Sequence, residues 1–194
     1  MPASQFTESD FEFKPVTISI WDDFVSLFTE PGIQNGCWCM YWRLRRADCQ
    51  HSYGEGNKQA FKAVLESDQV PSILAYHQGR PVGWCAIAPR RDTSVLDRSP
   101  TLKRVDDQPV WSITCFFISK PYRRQGMTEL LIQAALDYAR QHGAQIVEAY
   151  PLRTEITKLL PYERYMGIQS TFERLGFQVV VERSPRRPVM RLYI

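Results

Sequence analysis

The fold of this chain is decided at Tyr122-Arg123-Arg124-Gln125-Gly126-Met127-Thr128, a basic turn with a single glycine. The residues before it, at 110–118, are rich in β-branched and aromatic side chains, which predicts a strand. The residues after it, at 129–142, carry apolar side chains at helical spacing and end at Gly143, which predicts a helix. The sequence therefore predicts a strand, a basic turn and a helix in direct succession.

A turn of this kind is suited to bind an anion. The first turn of a helix has backbone N–H groups without partners, and it lies at the positive end of the helix dipole. Gly126 lets the backbone approach closely, and Arg123 and Arg124 add forked donors for phosphate oxygens. The glycine and lysine pattern of a P-loop and the three glycines of a dinucleotide fingerprint are both missing. A polyphosphate site is the prediction; the alternative is a surface turn with two solvated arginines.

The turn resembles the acetyl-CoA pyrophosphate motif of the GNAT superfamily of N-acetyltransferases, which reads Arg/Gln-x-x-Gly-x-Gly/Ala. Arg123 and Gly126 match this motif, whereas Thr128 replaces the final small residue. A second segment, at 170–177, resembles the family's penultimate helix and the Gly-Phe start of the following strand. The resemblance extends over residues 11–194 and is strongest at 110–149. The alternative is an unrelated α/β domain.

The rest of the chain continues the alternation of elements, without internal repeats. Periodicity and turn residues predict strands and helices, and Gln78-Gly79-Arg80 predicts a tight hairpin. The predicted strands lie at 11–18, 72–77, 81–88, 110–118, 145–150, 177–182 and 189–194, and the predicted helices at 20–29, 54–67, 129–142 and 170–175. The aromatic segment 37–43 stays unassigned, and 90–108 is interpreted as a polar loop with a helical turn near 101–105.

Together with the resemblance, this order implies an α/β (α+β) fold of the GNAT type. Its mixed, mostly antiparallel central sheet would carry helices on both faces and a splayed central strand pair. We expect a single N-acetyltransferase domain over residues 1–194, with a flexible N-terminus at 1–10. Charged residues make up 23% and hydrophobic residues 44% of the sequence, as in soluble globular proteins.

Composition also limits the partners and the location. No apolar run is as long as a membrane span, and the N-terminus lacks a basic region followed by an apolar one, so we predict a cytoplasmic protein without membrane contact. A net charge of +3 gives no support for nucleic-acid binding. Five cysteines do not form a paired disulfide framework, and Cys37-Trp38-Cys39, with Cys49 and His51 nearby, lacks zinc-site spacing. We therefore predict no metal.

The resemblance implies acetyl-CoA as co-substrate and assigns its contacts to two segments. The pantetheine arm would pair with backbone groups of a bulged strand, and a backbone N–H there would stabilise the oxyanion of the reacting thioester. The strand residues are Phe116, Phe117 and Ile118. The pyrophosphate would lie on the turn, at Arg123, Arg124, Gln125, Gly126, Met127 and Thr128.

Acetyl transfer requires a neutral amine, and a lysine-like amine costs about 4–5 kcal/mol to deprotonate at neutral pH. A general base or a water relay would lower this barrier. Glu148, on the strand after the long helix, is our first candidate for the base. Asp106, Asp107 and Glu163 are alternatives; His77 and His142 fit less well because one ends a strand and the other caps a helix.

The leaving thiolate also needs a proton, which many family members supply from a tyrosine on the short helix before the Gly-Phe strand. Phe172 stands at that position and has no proton to give. Tyr165 is our first candidate for a substitute acid, and Tyr162, Ser170 or water are the others. General acid catalysis is worth ~10²–10⁴-fold, so its loss alone does not abolish the reaction.

The acceptor region is predicted at the aromatic segment, with Trp38, Tyr41 and Trp42 as candidate contacts, and at the loop 90–108. The alternative is that these aromatic side chains complete a core. The acceptor itself is expected to be a primary amine of a small molecule or peptide, and a homodimer is possible by resemblance. A non-catalytic acyl-CoA-binding sensor or interaction module is the alternative function, and Phe172 is the residue that favours it.

Overall fold

The computed structural model describes residues 6–31, 36–156 and 161–194. Within them, seven strands form one sheet in the order β1-β2-β3-β4-β5-β7-β6. The strands are β1 Phe11–Pro15, β2 Ser72–His77, β3 Arg80–Pro89, β4 Trp111–Ile118, β5 Ile146–Ala149, β6 Gln178–Val181 and β7 Val189–Tyr193. The helices are α1 Trp21–Phe28, α2 Arg46–His51, α3 Glu55–Glu66, α4 Met127–Gln141 and α5 Gln169–Arg174.

The sheet is antiparallel except at its centre. β4 and β5 run parallel, and α4 makes the crossover between them. The predicted hairpin between β2 and β3 is present, with Gln78 and Gly79 both at positive φ. The predicted mixed, mostly antiparallel sheet is therefore confirmed.

Helices cover both faces of the sheet because the side chains of the central strands alternate between two cores. Ile73 and Ala75 of β2 pack with α4 and Phe172, whereas Leu74 and Tyr76 pack with α1 and α3. We call these sides the α4 face and the α1 face. A third, smaller cluster is formed around Leu96, Tyr150 and Met166.

Three boundaries differ from the sequence-based expectation. The strand predicted at 11–18 ends at Pro15, and a 3-10 turn at Ile18–Ile20 leads into α1. The loop at 90–108 forms a 3-10 segment at Arg90–Arg98, held by hydrogen bonds from the Arg90 guanidinium to Asp97, rather than a helical turn at 101–105. The unassigned aromatic segment leads into α2.

The described part of the N-terminus forms a short turn. Residues 1–5 lie outside the described residues. Glu8–Asp10 form a 3-10 turn, which is closed by a hydrogen bond from the Thr7 amide to the Asp10 carboxylate. The Phe6 ring stacks on Tyr122 at 5.3 Å between centroids. The flexibility expected for residues 1–10 stays a prediction.

Candidate functional site

The central parallel pair separates after a short contact. β4 and β5 are joined by three residue pairs, the last of which is Ile113 with Ala149. β4 continues to Ile118, whereas the chain after β5 bends away until Leu152 forms a bridge with Ile168. The predicted splay is confirmed, and a gap opens beside the C-terminal half of β4.

A bulge in β4 lies where the gap begins. Cys115 pairs with Ala86 of β3, but Ile113 pairs with Ile87, so Thr114 is the extra residue. An extra residue bends a strand and increases its twist, which turns the end of β4 away from β5. The packing of the core shows the effect of this bulge. Ile113 and Phe116 both face α4 although they are three residues apart, where a regular strand would repeat every two.

The direction of the backbone groups along β4 follows from its pairing with β3. The Ser119 amide donates to the Val82 carbonyl at 2.9 Å, and alternation then directs the groups of Phe117 to β3. The backbone N–H and C=O groups of Phe116 and Ile118 then point into the gap. In agreement, the Arg123 Nε donates to the Ile118 carbonyl at 2.7 Å. Of the three predicted strand contacts, Phe116 and Ile118 therefore face the gap and Phe117 does not.

The basic turn forms the mouth of this gap. Gly126 precedes α4 with φ +81° and Arg124 has φ +62°, both in the left-handed region. Among the described residues, the backbone N–H groups of Arg124, Gly126, Met127 and Thr128 have no acceptor, and the first paired amide is that of Glu129. A row of such amides at the positive end of a helix is an anion-binding concavity.

The side chains of the turn divide into two groups. Arg123 and Arg124 are exposed, and the Arg123 guanidinium also lies over the Phe117 ring at 5.8 Å. Met127 is buried in the core beneath α4, so it offers only its backbone. The Gln125 side chain donates to the Pro121 carbonyl at 2.6 Å, which holds the turn closed.

Glu148 is a structural carboxylate in this fold. Its side chain is 1% exposed, and its two oxygens accept hydrogen bonds from Arg90 at 2.8 Å and from Arg191 at 2.9 Å. The Tyr150 hydroxyl donates to it at 2.8 Å and also contacts Ser112 on β4. This network ties β4, β5 and β7 together directly below the gap. A carboxylate held by two guanidinium groups has no free oxygen to take a proton, so this position argues against Glu148 as the base.

The candidate carboxylates Asp106 and Asp107 line the same cavity as Glu148. Hydrogen bonds from Arg191 lower the pKa of Asp106 to about 2, which makes it a weak proton acceptor. Asp106 and Asp107 line a cavity of about 660 Å³ at the end of β4 opposite the gap. His142 and Gly143, at the C-terminus of α4, border the same cavity, and this negative end of the helix dipole disfavours phosphate.

The remaining candidates for proton transfer are also engaged. Glu163 forms an ion pair with Arg186, and the His77 ring lies 3.0 Å from the Tyr122 hydroxyl. His142 stacks on Tyr138. The side chain of Tyr162 lies outside the described residues, and the Ser170 amide donates to Thr154 at the start of α5.

Tyr165 lies beside the bulge. Its 3-10 segment, Pro161–Met166, packs against β4, and Cys115, Tyr41 and Arg187 act on its hydroxyl electrostatically. Burial raises the pKa of Tyr165 well above its ordinary value, so the hydroxyl keeps its proton at neutral pH. Phe172, by contrast, is fully buried on the α4 face and meets the Phe116 ring edge-on at 6.1 Å.

The predicted acceptor residues have separate environments. Trp38 is 5% exposed and packs among Trp21, Phe24 and Phe28, so it is a core residue and cannot contact an acceptor as predicted. Tyr41 is 39% exposed and meets the Trp42 ring edge-on at 4.8 Å. Trp42 packs against the same cluster as Tyr165, so this part of the aromatic segment does border the α1 side of the bulge.

A small recess next to the bulge on the α1 face was not predicted. The side chains with polar groups that line it are those of Cys39, Trp42, Arg43, Trp84, Thr93 and Thr114, and its volume of about 10 Å³ is near that of one water molecule. We call it the donor recess. The sequence predicted Trp84 only as part of a strand, and its place beside the same recess as Trp42 depends on contacts between distant segments.

The sequence matches the acetyltransferase (GNAT) family over residues 38–157, which is more than half of the chain. The chain belongs to the GNAT family. The matched region contains the bulged strand, the basic turn, α4 and β5. The predicted family and the predicted class of enzyme, an acyltransferase, are thereby confirmed.

Solved GNAT structures share the fold at low sequence identity. The N-acetyltransferase PaiA from Thermoplasma acidophilum, solved with coenzyme A, is 10% identical with a TM-score of 0.54, covering 95% of this chain and 99% of its own. A GNAT-family acetyltransferase from Listeria monocytogenes is 10% identical with a TM-score of 0.58, covering 95% of both chains. The polyamine N-acetyltransferase of Drosophila melanogaster is 11% identical with a TM-score of 0.56, covering 95% of this chain and 100% of its own.

A search among curated proteins finds no significant match to the sequence. None of the helices in the described ranges is both long and apolar enough to cross a membrane. The same ranges contain no group of three or more histidine, cysteine or acidic side chains placed to hold a metal ion.

Proposed function

We propose that this GNAT protein transfers an acetyl group from acetyl-CoA to a primary amine of a small molecule or peptide, by direct attack of the amine on the thioester. One observation carries the proposal. The gap beside β4 lies between the Thr114 bulge and the unpaired amides of the basic turn, so a candidate oxyanion donor and a candidate anion site border the same gap, which we take as the cofactor channel. An extended acyl thioester with a pyrophosphate at its far end fits such a channel.

The cofactor would occupy the channel as follows. The pyrophosphate accepts hydrogen bonds from the amides at Arg124, Gly126, Met127 and Thr128, and the two exposed arginines add positive charge. The pantetheine arm pairs with the backbone of Phe116 and Ile118, in the manner of an added strand. The Arg123 side chain then leaves the Ile118 carbonyl and turns toward the phosphates.

The chemistry needs one donor and one acid at the reacting carbon. The Phe116 amide, the unpaired N–H nearest the bulge, donates to the thioester oxygen as negative charge develops there. The amine, deprotonated by a water relay, attacks the carbonyl carbon, its nitrogen loses a second proton to water, the C–S bond breaks, and the CoA thiolate leaves. The Tyr165 hydroxyl supplies a proton to that thiolate and is itself reprotonated from solvent.

Solved relatives are consistent with this assignment. The Thermoplasma protein holds coenzyme A, and the Drosophila enzyme catalyses the formation of N-acetylagmatine, so the shared fold serves amine acetylation. We further propose a cytoplasmic protein that needs neither metal nor nucleic acid, and a homodimer through the exposed β6 edge near Val179 and Val180. Light scattering of the purified protein tests the dimer; a monomer mass at micromolar concentration would rule it out.

Turnover is tested by free-thiol release from acetyl-CoA in the presence of a panel of primary amines. We expect release with at least one amine, and a 10²-fold or greater loss of kcat in Tyr165→Phe because the acid is removed. Tyr53→Phe is the matched control, since Tyr53 is 60% exposed and has no part in the proposal. Equal kcat in Tyr165→Phe and wild type would assign the acid to water.

The second candidate function is a non-catalytic acyl-CoA-binding module. It is favoured by Phe172, which is fully buried in the core and carries no hydroxyl where relatives use an acid. Such a module would be stabilised thermally by coenzyme A yet release no thiol with any amine. That combination would replace the enzyme proposal; the absence of stabilisation by coenzyme A would reject both functions.

A further inference from the structure

The donor recess contains buried donors that lack acceptors. Trp84 is fully buried, and neither its indole Nε1 nor that of Trp42 has a hydrogen-bond partner in the described part of the chain. Both indoles line the recess. An indole N–H is a donor only, and leaving one buried without an acceptor costs roughly 1–3 kcal/mol. Two such donors around one recess are unusual enough to require an occupant.

A cation completes the set. Arg43 lines the same recess and, across the residues that the structure describes, makes no hydrogen bond or ion pair through its guanidinium. Asp92 acts on Arg43 only from beyond ion-pair distance, and burial lowers the pKa of the Arg43 guanidinium. The recess therefore offers two neutral donors and one positive charge, and the other polar groups that line it are the Cys39 thiol and two threonine hydroxyls. Its natural occupant is an oxygen that accepts hydrogen bonds and carries negative charge.

The position of the recess relates it to the acceptor amine. Thr114 lines it, and Phe116, which we place at the thioester oxygen, follows two residues later, about 7 Å along an extended strand. α4 lies on the other face of the sheet, so a cofactor anchored at its N-terminus and an amine bound at the recess would approach the reacting carbon from opposite sides. An oxygen bound in the recess would lie ~2.8 Å from its donor, and the attacking amine nitrogen would lie ~3 Å from the thioester carbon. The acceptor molecule can therefore have only a few bonds between that oxygen and that nitrogen.

We propose that the acceptor is a free amino acid, whose carboxylate is received by the donor recess through Trp42, Trp84 and Arg43. The size of the recess allows one carboxylate oxygen to enter, since its volume is near that of a single water molecule. The inference rests on the proposed acetyl transfer for its second half, the identity of the substrate. Its first half, carboxylate binding, depends only on the buried donors of the recess that lack acceptors.

Turnover of matched acceptors tests the substrate class. Each of the twenty common amino acids is compared with its carboxamide, which keeps the amine and loses the charge, by thiol release from acetyl-CoA. We expect kcat/KM for the best amino acid to exceed that of its carboxamide at least 10-fold, as for a hydrogen-bonded charge. Carboxamides that react equally well would overturn the proposal.

Variants test the residues. Arg43→Gln should raise KM for the amino acid 10- to 100-fold, with KM for acetyl-CoA and for the carboxamide unchanged. Trp42→Phe, which removes one N–H, should raise the same KM about 3- to 10-fold. Arg45→Gln is the control, because Arg45 is exposed on the same segment. A loss in Arg43→Gln that is equal for acid and carboxamide would show a merely structural arginine.

A binding experiment separates this inference from the proposed function. Protein labelled with ¹⁵N in its indole groups and saturated with coenzyme A is titrated with the same amino acids and carboxamides, and its signals are assigned with single Trp→Phe variants. We expect saturable shifts of the Trp42 and Trp84 signals with an amino acid and none with its carboxamide, even if no amine is turned over. If both signals stay unmoved by all twenty amino acids, a structural water is the occupant and the proposal fails.

Discussion

Gly126 and Gly143 have nearly the same backbone conformation at the two ends of α4. Their φ angles are +81° and +78°, and a Cβ at either position would meet no atom within 4 Å. Glycine is therefore favoured at both positions by the backbone conformation and not by a lack of room for a side chain. Only Gly126 belongs to the proposed anion site, so the pair separates a loss of stability from a loss of binding.

Gly126→Ala and Gly143→Ala should each destabilise the protein by about 1–2 kcal/mol, the cost of a left-handed residue with a Cβ. Only Gly126→Ala should also weaken coenzyme A binding, by about 10-fold, because relaxation of the turn misdirects its amides. Urea unfolding and isothermal titration calorimetry measure the two effects. Equal coenzyme A affinity in the two variants would place the pyrophosphate elsewhere.

Glu148 shows what residue-level reasoning from sequence can and cannot reach. An acidic residue in an apolar strand is rightly singled out as unusual, and a base is one reading of it. Its partners Arg90 and Arg191 are 58 and 43 residues away in the chain, so the buried ion pairs that define its role could not be predicted. Thr128 and Gly126, whose role depends on local backbone, were easier to place.

Glu148→Gln should lower the free energy of unfolding by about 3 kcal/mol or more, since it breaks buried ion pairs and leaves Arg90 and Arg191 partly uncompensated. The exposed Glu66→Gln should change it by less than about 0.5 kcal/mol. The pH profile of kcat/KM in the folded protein should keep its shape. If stability is unchanged and the basic limb of that profile disappears, Glu148 is the base after all.

Tyr150→Phe serves where Glu148→Gln is too unstable to purify. It removes one hydroxyl that contacts Glu148, Arg90 and Ser112. We expect a loss of about 1–3 kcal/mol in the free energy of unfolding, as for a buried hydrogen-bond network with one member missing.

Among the elements, β4 was predicted almost to the residue, because its β-branched and aromatic composition is a local property. The expected strand at 110–118 compares with Trp111–Ile118 in the structure. The splay came from the resemblance, whereas the position of the bulge depends on pairing with β3, which periodicity alone does not report. For the same reason α2 and the 3-10 segment at Arg90–Arg98 went unpredicted: both are short and are stabilised by tertiary contacts.

Deletion of Thr114 should restore a regular β3–β4 ladder while Cys115 and Phe116 keep their faces of the sheet. β4 then straightens toward β5 and the gap narrows. We expect coenzyme A affinity to fall at least 10-fold while cooperative unfolding is retained. Thr114→Ser keeps the extra residue and should bind coenzyme A as the wild type does. Normal affinity in the deletion variant would show that the bulge does not open the gap.

For the whole molecule, the ion pair between Asp106 and Arg191 makes the free energy of unfolding depend on pH. Hydrogen bonds from Arg191 depress the pKa of Asp106 to about 2 from an ordinary value of 3.8. A group whose pKa is lowered on folding contributes stability above its unfolded value, and that stability is lost as the pH falls through the folded value. The window for Asp106 is therefore between about pH 4 and pH 2.

Asp106→Asn should destabilise the protein at pH 7 by no more than about 1 kcal/mol, because Asp106 is 37% exposed and solvent weakens the pair. The difference from wild type should shrink below pH 4 and vanish near pH 2, where Asp106 is protonated. Urea unfolding at several pH values measures it. A difference that stays constant from pH 7 to pH 2 would contradict a role for the Asp106 charge.

The short contact between β4 and β5 has a mechanical consequence. It divides the sheet into two parts, one with β1, β2, β3 and β4 and the other with β5, β7 and β6. In the described part of the chain, three residue pairs between β4 and β5 join these two parts. A pantetheine arm lying along Phe116 would form hydrogen bonds with β4 where β5 does not pair with it. Coenzyme A would then join the two parts of the sheet along the C-terminal half of β4. Amide exchange at Phe116 and Ile118 should accordingly be fast without coenzyme A and slow with it, while Cys115 and Phe117 stay protected throughout.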